Sequence, residues 1–353
     1  MNNDRPRLWH DIHAQPLSQA GVLLHQRTAG RTAIEDAAAL LKSRRQVVIT
    51  AMGGSLWASA PLEYYLNAQG IPAVAIEAAE LLHYRRRICE EAAVLMVSRS
   101  GESVEIVKLL EALRGQTPIV GVTNEVDSAL ARRAAVCVQV QSLPDEIVAI
   151  QSYTGTVLAL TLLGASITGD FDAVAHQAEA ALSHLPATIQ ASSVSTSGWD
   201  EFLGSGGPLY LLGRGPSYGS VMEGALLFHE TAKAPAVGMA AASFRHGPVE
   251  VVDNSFRGIL FAPEGKTHRL NLALAREILR LGGQVRVIGP EGNLTEGLPM
   301  IAIPAIPEMC APLLEIVPVQ FAAMQFARLK GLKVGAFRHS GQVTRDESAF
   351  SLT

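Results

Sequence analysis

Apolar positions recur at helical spacing through residues 17–26, LSQAGVLLHQ, and again through 34–43, IEDAAALLKS, and then the texture changes. Gln46-Val47-Val48-Ile49-Thr50-Ala51 is a short β-branched run stopped by Gly53-Gly54-Ser55 and followed by the helical stretch LWASAPLEYYLNAQG. That is strand, tight turn, helix. IPAVAIEA, Ala92-Ala93-Val94-Leu95-Met96-Val97, TPIVGVTN and VCVQV supply further buried strands, with VEIVKLLEALRG and DSALARRA as helices between them. Strands alternating with helices predict an α/β fold with a parallel, doubly wound sheet.

The order restarts after a Ser/Thr/Gly-rich joint at residues 191–198, where PLYLLGRGPSYGSVMEGALLFHE repeats strand, Gly-rich turn and helix. RGILFAPEG, GQVRVIG and MIAIPAI give the second half its remaining strands, and LEIVPVQFAAMQFARLKG reads as a long apolar helix. Gly53 and Ser55 repeat at Gly215 and Ser217, an offset of 162; Glu80 to His83 meets Ser243 to His246 at 163, and Ser100-Gly101 meets Glu264-Gly265 at 164. A near-constant offset predicts duplication of a whole α/β unit.

With 353 residues the chain exceeds one hydrophobic core, and 48% hydrophobic against 18% charged residues excludes global disorder. The formal charge of -4, with no run of five like charges, gives no footprint for nucleic acid. Cys89, Cys137 and Cys310 stand far apart without C-x-x-C spacing, which suits buried thiols in a reducing compartment better than disulfides or zinc. The start, MNNDRPRLWHD, lacks the apolar core of a signal peptide, and the apolar runs are read as shorter than the ~18 residues of a membrane span. The expected setting is the cytoplasm, with no membrane partner.

Each half opens with a strand leading into a Gly/Ser turn at a helix N-terminus, where free N–H groups and the helix dipole favour an anion such as phosphate. The first half has a second such turn, Ser98-Arg99-Ser100-Gly101-Glu102-Ser103, with three hydroxyls and a guanidinium within six residues of a strand end. Ligands of open α/β sheets sit at those ends. Neither turn has the form G-x-x-x-x-G-K-[ST], and Pro216 stands inside what would be a dinucleotide fingerprint, so nucleoside triphosphate and NAD are not indicated.

Glu223 and Glu230 fall seven residues apart on one predicted helix and share a face. Glu230 reads either as a partner of Lys233 at the helix end or as a general base whose proton affinity burial raises. His246 follows in a loop that Gly247-Pro248 turns sharply. A glutamate and a loop histidine after a phosphate-type turn form an acid/base pair suited to moving a proton between sugar carbons.

Together these residues resemble the sugar isomerase (SIS) family, and within it the double-SIS isomerase part of glucosamine-6-phosphate synthase and its deaminase and deglycase relatives. Ser98 to Ser103 matches the S-x-S-G-E-[ST] phosphate loop, Glu223-Gly224-Ala225-Leu226 followed by Glu230 matches the E-G-A-L-x-x-x-E helix, and His246-Gly247-Pro248 matches the H-G-P loop. The similarity runs over roughly residues 20 to 347. It implies two tandem SIS domains, at 31–190 and 191–335, after a helical segment 1–30 and before a tail 336–353 over the active site. It implies a sugar phosphate held by Ser98, Arg99, Ser100 and Ser103 with Gly53, Gly54 and Ser55, and further substrate contacts at Glu223 and Gln342. It makes Glu230 the base between C1 and C2, and His246 the ring-opening acid/base lent by a partner subunit of a homodimer whose active site lies at the interface. No metal and no cofactor are called for.

The departures narrow the expectation. The first turn lacks the family's C-G-T-S wording, Arg99 replaces a common Gln, and Leu227 and Gln342 stand where the synthase carries lysines. Nothing after Met1-Asn2 supplies the synthase's catalytic cysteine or glutaminase domain. The expected enzyme is a phosphosugar isomerase, deaminase or deglycase acting on an amino-sugar or ketosamine phosphate. The competing expectation is a non-catalytic sensor of a sugar phosphate, which the missing lysines favour.

Overall fold

The computed structural model describes residues 5–346 apart from 195, 205 and 340, so Met1, Asn2 and the end of the tail lie outside the described residues. Two five-stranded sheets are present, both entirely parallel. The first holds β1 (Gln46–Ala51), β2 (Ala73–Glu77), β3 (Ala92–Val97), β4 (Ile119–Thr123) and β5 (Val136–Gln139) in the order β2-β1-β3-β4-β5. The second holds β6 (Leu209–Gly213), β7 (Ala236–Ala240), β8 (Arg257–Phe261), β9 (Gln284–Gly289) and β10 (Met300–Ala302) in the order β7-β6-β8-β9-β10. Strand for strand, the two orders are the same.

Central strands bury both faces, which is why they read as unbroken apolar runs: every residue of β3, β4 and β8 is buried. The helices that follow the strands shield them. In the first sheet Val48, Val94 and Met96 pack with Ile106, Leu109 and Leu110 of the helix Val104–Ala112. In the second, Leu212, Leu260, Val285 and Val287 pack with Leu272 and Ile278 of the helix His268–Arg280. Tyr210, Phe244 and Phe256 meet there edge-on or tilted, with ring centroids 5.4 to 5.6 Å apart. Truncating fully buried Phe256 to Ala costs about 3–5 kcal/mol.

Two compact units carry the sheets. The first-sheet unit comprises residues 17–145, 151–179 and 337–353, and the second-sheet unit comprises 1–16, 146–150 and 180–336. Three local expectations need correction. β7 was not marked in the sequence: it is an edge strand, pairing β6 alone, with Gly238 at its centre and weak β propensity. The joint at 191–198 is helical, within Leu185–Val194 and Thr196–Gly204, because Leu185, Thr188, Ile189 and Ser192 present one buried face. The stretch Glu308–Leu329 is long and apolar enough to cross a membrane, but 83% of its most apolar window is buried inside the protein, which marks a core helix.

Candidate active site

In the first-sheet unit the two anion-ready turns are neighbours. β1 and β3 pair directly, with Ala51 opposite Val97, so Gly53-Gly54-Ser55 and Ser98 to Ser103 leave adjacent strand ends. β2 lies on one side of β1 and β3 on the other, so the connections diverge here and open a crevice. Gly53, at φ +50°, begins the helix Gly53–Ala68, and a side chain built on it would meet nothing within 4 Å.

The second turn is wound by its own hydroxyls. Gly101 N–H reaches Ser98 Oγ at 3.1 Å and the Ser98 carbonyl at 3.2 Å, and Glu102 N–H reaches Ser100 Oγ at 3.2 Å. Gly101 holds φ +62°, where a Cβ would run into the Ser128 side chain. Thr123 Oγ1 and Asn124 N–H both donate to the Arg99 carbonyl at 3.0 Å, and Ala129 N–H donates to Glu102 Oε1 at 2.6 Å, fixing the turn from β4 and its following loop. Serines that only accept from the backbone keep their own O–H for a ligand.

A cleft of about 410 Å³ lies beside this turn, lined among others by Arg99, Ser100, Asn124, Asp145, Ser152 and Gln342. The tail enters it. Arg99 Nη2 donates to the Gln342 carbonyl at 3.2 Å, Val104 N–H to the Thr344 carbonyl at 3.1 Å, and Gln342 Nε2 lies 3.4 Å from the Asp145 carbonyl. Asn124, Asp145 and Ser152 were not singled out in the sequence. Asp145 accepts from Gln151 N–H at 2.7 Å, Ser152 N–H at 3.2 Å and the Ser152 hydroxyl, capping the helix Gln151–Thr168. Pro144-Asp145 ahead of a long apolar run was the signal for it.

Glu223, Glu230 and His246 belong to the second-sheet unit. Glu223 is buried in the helix Ser217–Ala232, Leu227 is buried one turn on, and Glu230 is half-buried in the last turn. Lys233 ends that helix in a left-handed conformation and its ammonium donates to the Glu230 backbone carbonyl. Glu230 thus stands where the chain turns into the start of β7. His246 is exposed beyond the other end of that strand, in a turn made by His246 N–H to the Ser243 carbonyl at 3.0 Å and by Gly247 at φ +117°. Five strand residues rise roughly 13 Å from first to last, so one chain's Glu230 and His246 lie at opposite ends of β7.

A model of the SIS domain matches residues 40–168 and 205–328, one match on each sheet. The chain belongs to the SIS family. The glutamine–fructose-6-phosphate aminotransferase (isomerizing) of Zymomonas mobilis is 28% identical, with 94% of this chain and 57% of that protein aligned. That of Pyrococcus horikoshii is also 28% identical, over 83% of this chain and 50% of the relative. The chain spans about half the length of these curated relatives. Among solved structures, the C-terminal domain of the glucosamine-fructose-6-phosphate aminotransferase of Francisella tularensis superposes with a TM-score of 0.81 at 19% identity, covering 93% of this chain and 97% of that one.

Within the SIS frame the two lysine departures have distinct surroundings. Leu227 is 1% exposed, so methyl groups packed in the core stand where the resemblance puts an ammonium. Gln342 is exposed and held to the first-sheet unit through its own carbonyl and side-chain amide. Arg99, the third departure, is the donor that holds it.

Proposed function

We propose that this SIS protein is an enzyme that moves a proton between C1 and C2 of an amino-sugar or ketosamine phosphate, as an isomerase, deaminase or deglycase. The observation that carries the reading is the pair of adjacent anion-ready turns at the ends of β1 and β3, opening beside a polar cleft. The phosphate accepts from Ser98, Ser100 and Ser103, from backbone N–H groups of the Gly53-Gly54-Ser55 turn, and from Arg99. Anchoring that end fixes the reacting carbons, which converts a bimolecular encounter into an oriented one.

The Glu230 carboxylate then takes the C2 hydrogen of the open-chain 2-amino aldose as a proton, leaving an enolamine, and returns that proton to C1 to give the ketimine, which water can hydrolyse to ketose and ammonia. In the deaminase and deglycase variants the same base handles the enolamine before water releases the nitrogen substituent. His246 opens and closes the sugar ring. Its place at the opposite end of β7 from Glu230 supports the view that it serves the site of a second copy, so the working species is a homodimer.

A sensor reading is favoured by Leu227 and Gln342, which remove two amines from the neighbourhood of the sugar. Exchange with solvent deuterium of the hydrogen on C2 of an aldose phosphate, or on C1 of a ketosamine phosphate, separates the two, because it reports proton abstraction whatever the product. Glu230→Gln keeps size but cannot accept a proton, so exchange should fall by roughly a hundredfold or more with binding retained. Equal exchange in both proteins reassigns the base, and no exchange on any phosphosugar that binds establishes the sensor.

A further inference from the structure

The repeat aligns the two strand-end crevices position by position. Gly53 and Gly215, 162 residues apart, follow β1 and β6 at φ +50° and +59°; Gly101 and Gly265, 164 apart, follow β3 and β8 at φ +62° and +153°. β6 and β8 pair directly, as β1 and β3 do. The furnishing differs. Above Gly53 the first crevice is open, and its loop carries Ser98, Ser100 and Ser103. The loop after β8 reads Pro263-Glu264-Gly265-Lys266-Thr267, with a single hydroxyl at its far end.

Between the second pair of glycines lies the carboxylate of Glu308. Its Oε1 and Oε2 stand 2.6 and 2.8 Å from the point a Cβ on Gly265 would occupy, and Oε1 stands 3.8 Å from the same point on Gly215. A short 3-10 turn, Glu308–Cys310, at the head of the helix Pro312–Leu329, brings it there. From that helix Glu315, fully buried, accepts from Ser217 Oγ at 2.9 Å, and Ser217 is the first residue of the helix that follows β6. The counterpart of the Gly53 helix thus meets carboxylates of its own chain where an anion would bind.

We infer that the second crevice is a duplicated phosphate site that the chain fills with its own Glu308 carboxylate, so that each chain takes up phosphate only in the first-sheet unit. The features that admit an anion survive: left-handed glycines that allow close approach and a helix N-terminus with its positive dipole end. A carboxylate supplies the charge from inside, and an entering phosphate would face Glu308 at close range in a half-buried setting, where like charges repel strongly. The identity of the first crevice's ligand rests on the proposed function; the state of the second rests on the fold.

The test titrates inorganic phosphate, followed by calorimetry and by its phosphorus resonance, into the whole chain. Wild type should bind one phosphate per chain and Glu308→Ala two. In a Ser98→Ala/Ser100→Ala background, which weakens the first site, Glu308→Ala should still bind one. A folded Glu308→Ala chain that gains no phosphate in either background overturns the inference. Glu308→Gln covers the case in which the alanine variant fails to fold: it keeps the shape, and phosphate affinity at the second crevice should rise at least about tenfold, no rise counting against. Binding by Glu308→Ala with none by wild type would uphold the self-filled crevice while refuting the reading of the first.

Discussion

Ser98→Ala isolates ligand binding from folding because the turn does not depend on the hydroxyl alone. Ser98 Oγ accepts Gly101 N–H at 3.1 Å, and the same N–H reaches the Ser98 carbonyl at 3.2 Å, so the turn keeps a closing bond when the hydroxyl is gone. The side chain is buried at 4% exposure and loses one small polar atom, which bounds the structural cost at about 1 kcal/mol. A hydrogen bond from that hydroxyl to a phosphate oxygen is worth about 1.5 to 3 kcal/mol, which converts to roughly 13- to 160-fold weaker binding. Ser100, whose Oγ accepts Glu102 N–H at 3.2 Å, should behave alike. Calorimetric titration with fructose 6-phosphate and glucosamine 6-phosphate, beside thermal melting, checks both. Affinity within twofold of wild type in both variants, with unchanged melting, would remove the turn from the site.

Two further outcomes follow from the geometry. Burial pushes the Glu315 carboxyl up to about 7, with the Glu308 charge adding to it against the pull of the Ser220 and Ser217 hydroxyls. An unfolded glutamate ionises near 4.5, so between there and about 7 the folded chain holds a proton that the unfolded chain has released, and stability should fall as pH rises through that window, by roughly 3 kcal/mol. Glu315→Gln should abolish that fall in urea melts at pH values on either side of the window; a wild-type slope in the variant would assign it to other groups. Gly101→Ala should destabilise by more than about 2 kcal/mol, since φ +62° is strained and the new Cβ meets Ser128, whereas Gly53→Ala, with open space around it, should cost about 1 kcal/mol in denaturant midpoints.

What the sequence revealed depended on how local the cause was. The turns after β1 and β3 announce themselves because a β-branched run, a glycine and hydroxyls within a few residues have one economical backbone solution. β7 did not, although Ala236–Ala240 lies 163 residues after β2, Ala73–Glu77; its composition is weak and only the repeat register pointed to it. The bond from Arg99 to the Gln342 carbonyl joins residues 243 apart, and no periodicity encodes a contact set by tertiary folding. The same holds for Glu308, whose side chain reaches Gly265 and Gly215 only because the strand order brings β6 and β8 together. Asp145 was readable as a cap, but its presence in the cleft was not.

The separation of Glu230 and His246 along β7 has a genetic signature. If His246 serves the site of a second copy, as proposed, a chain lacking one group carries an intact copy of the other, and Glu230→Gln and His246→Asn should complement each other once their subunits are exchanged. In a two-fold dimer that draws each site from both copies, random mixing in equal amounts makes about half the dimers mixed, and each mixed dimer has one site with both native groups, so about a quarter of all sites recover. A site built from one copy alone would recover nothing, because no subunit in the mixture would hold both. Organisms bearing such an enzyme would accordingly show interallelic rescue between lesions at the two ends of one short strand, and dominant interference from a chain damaged at both.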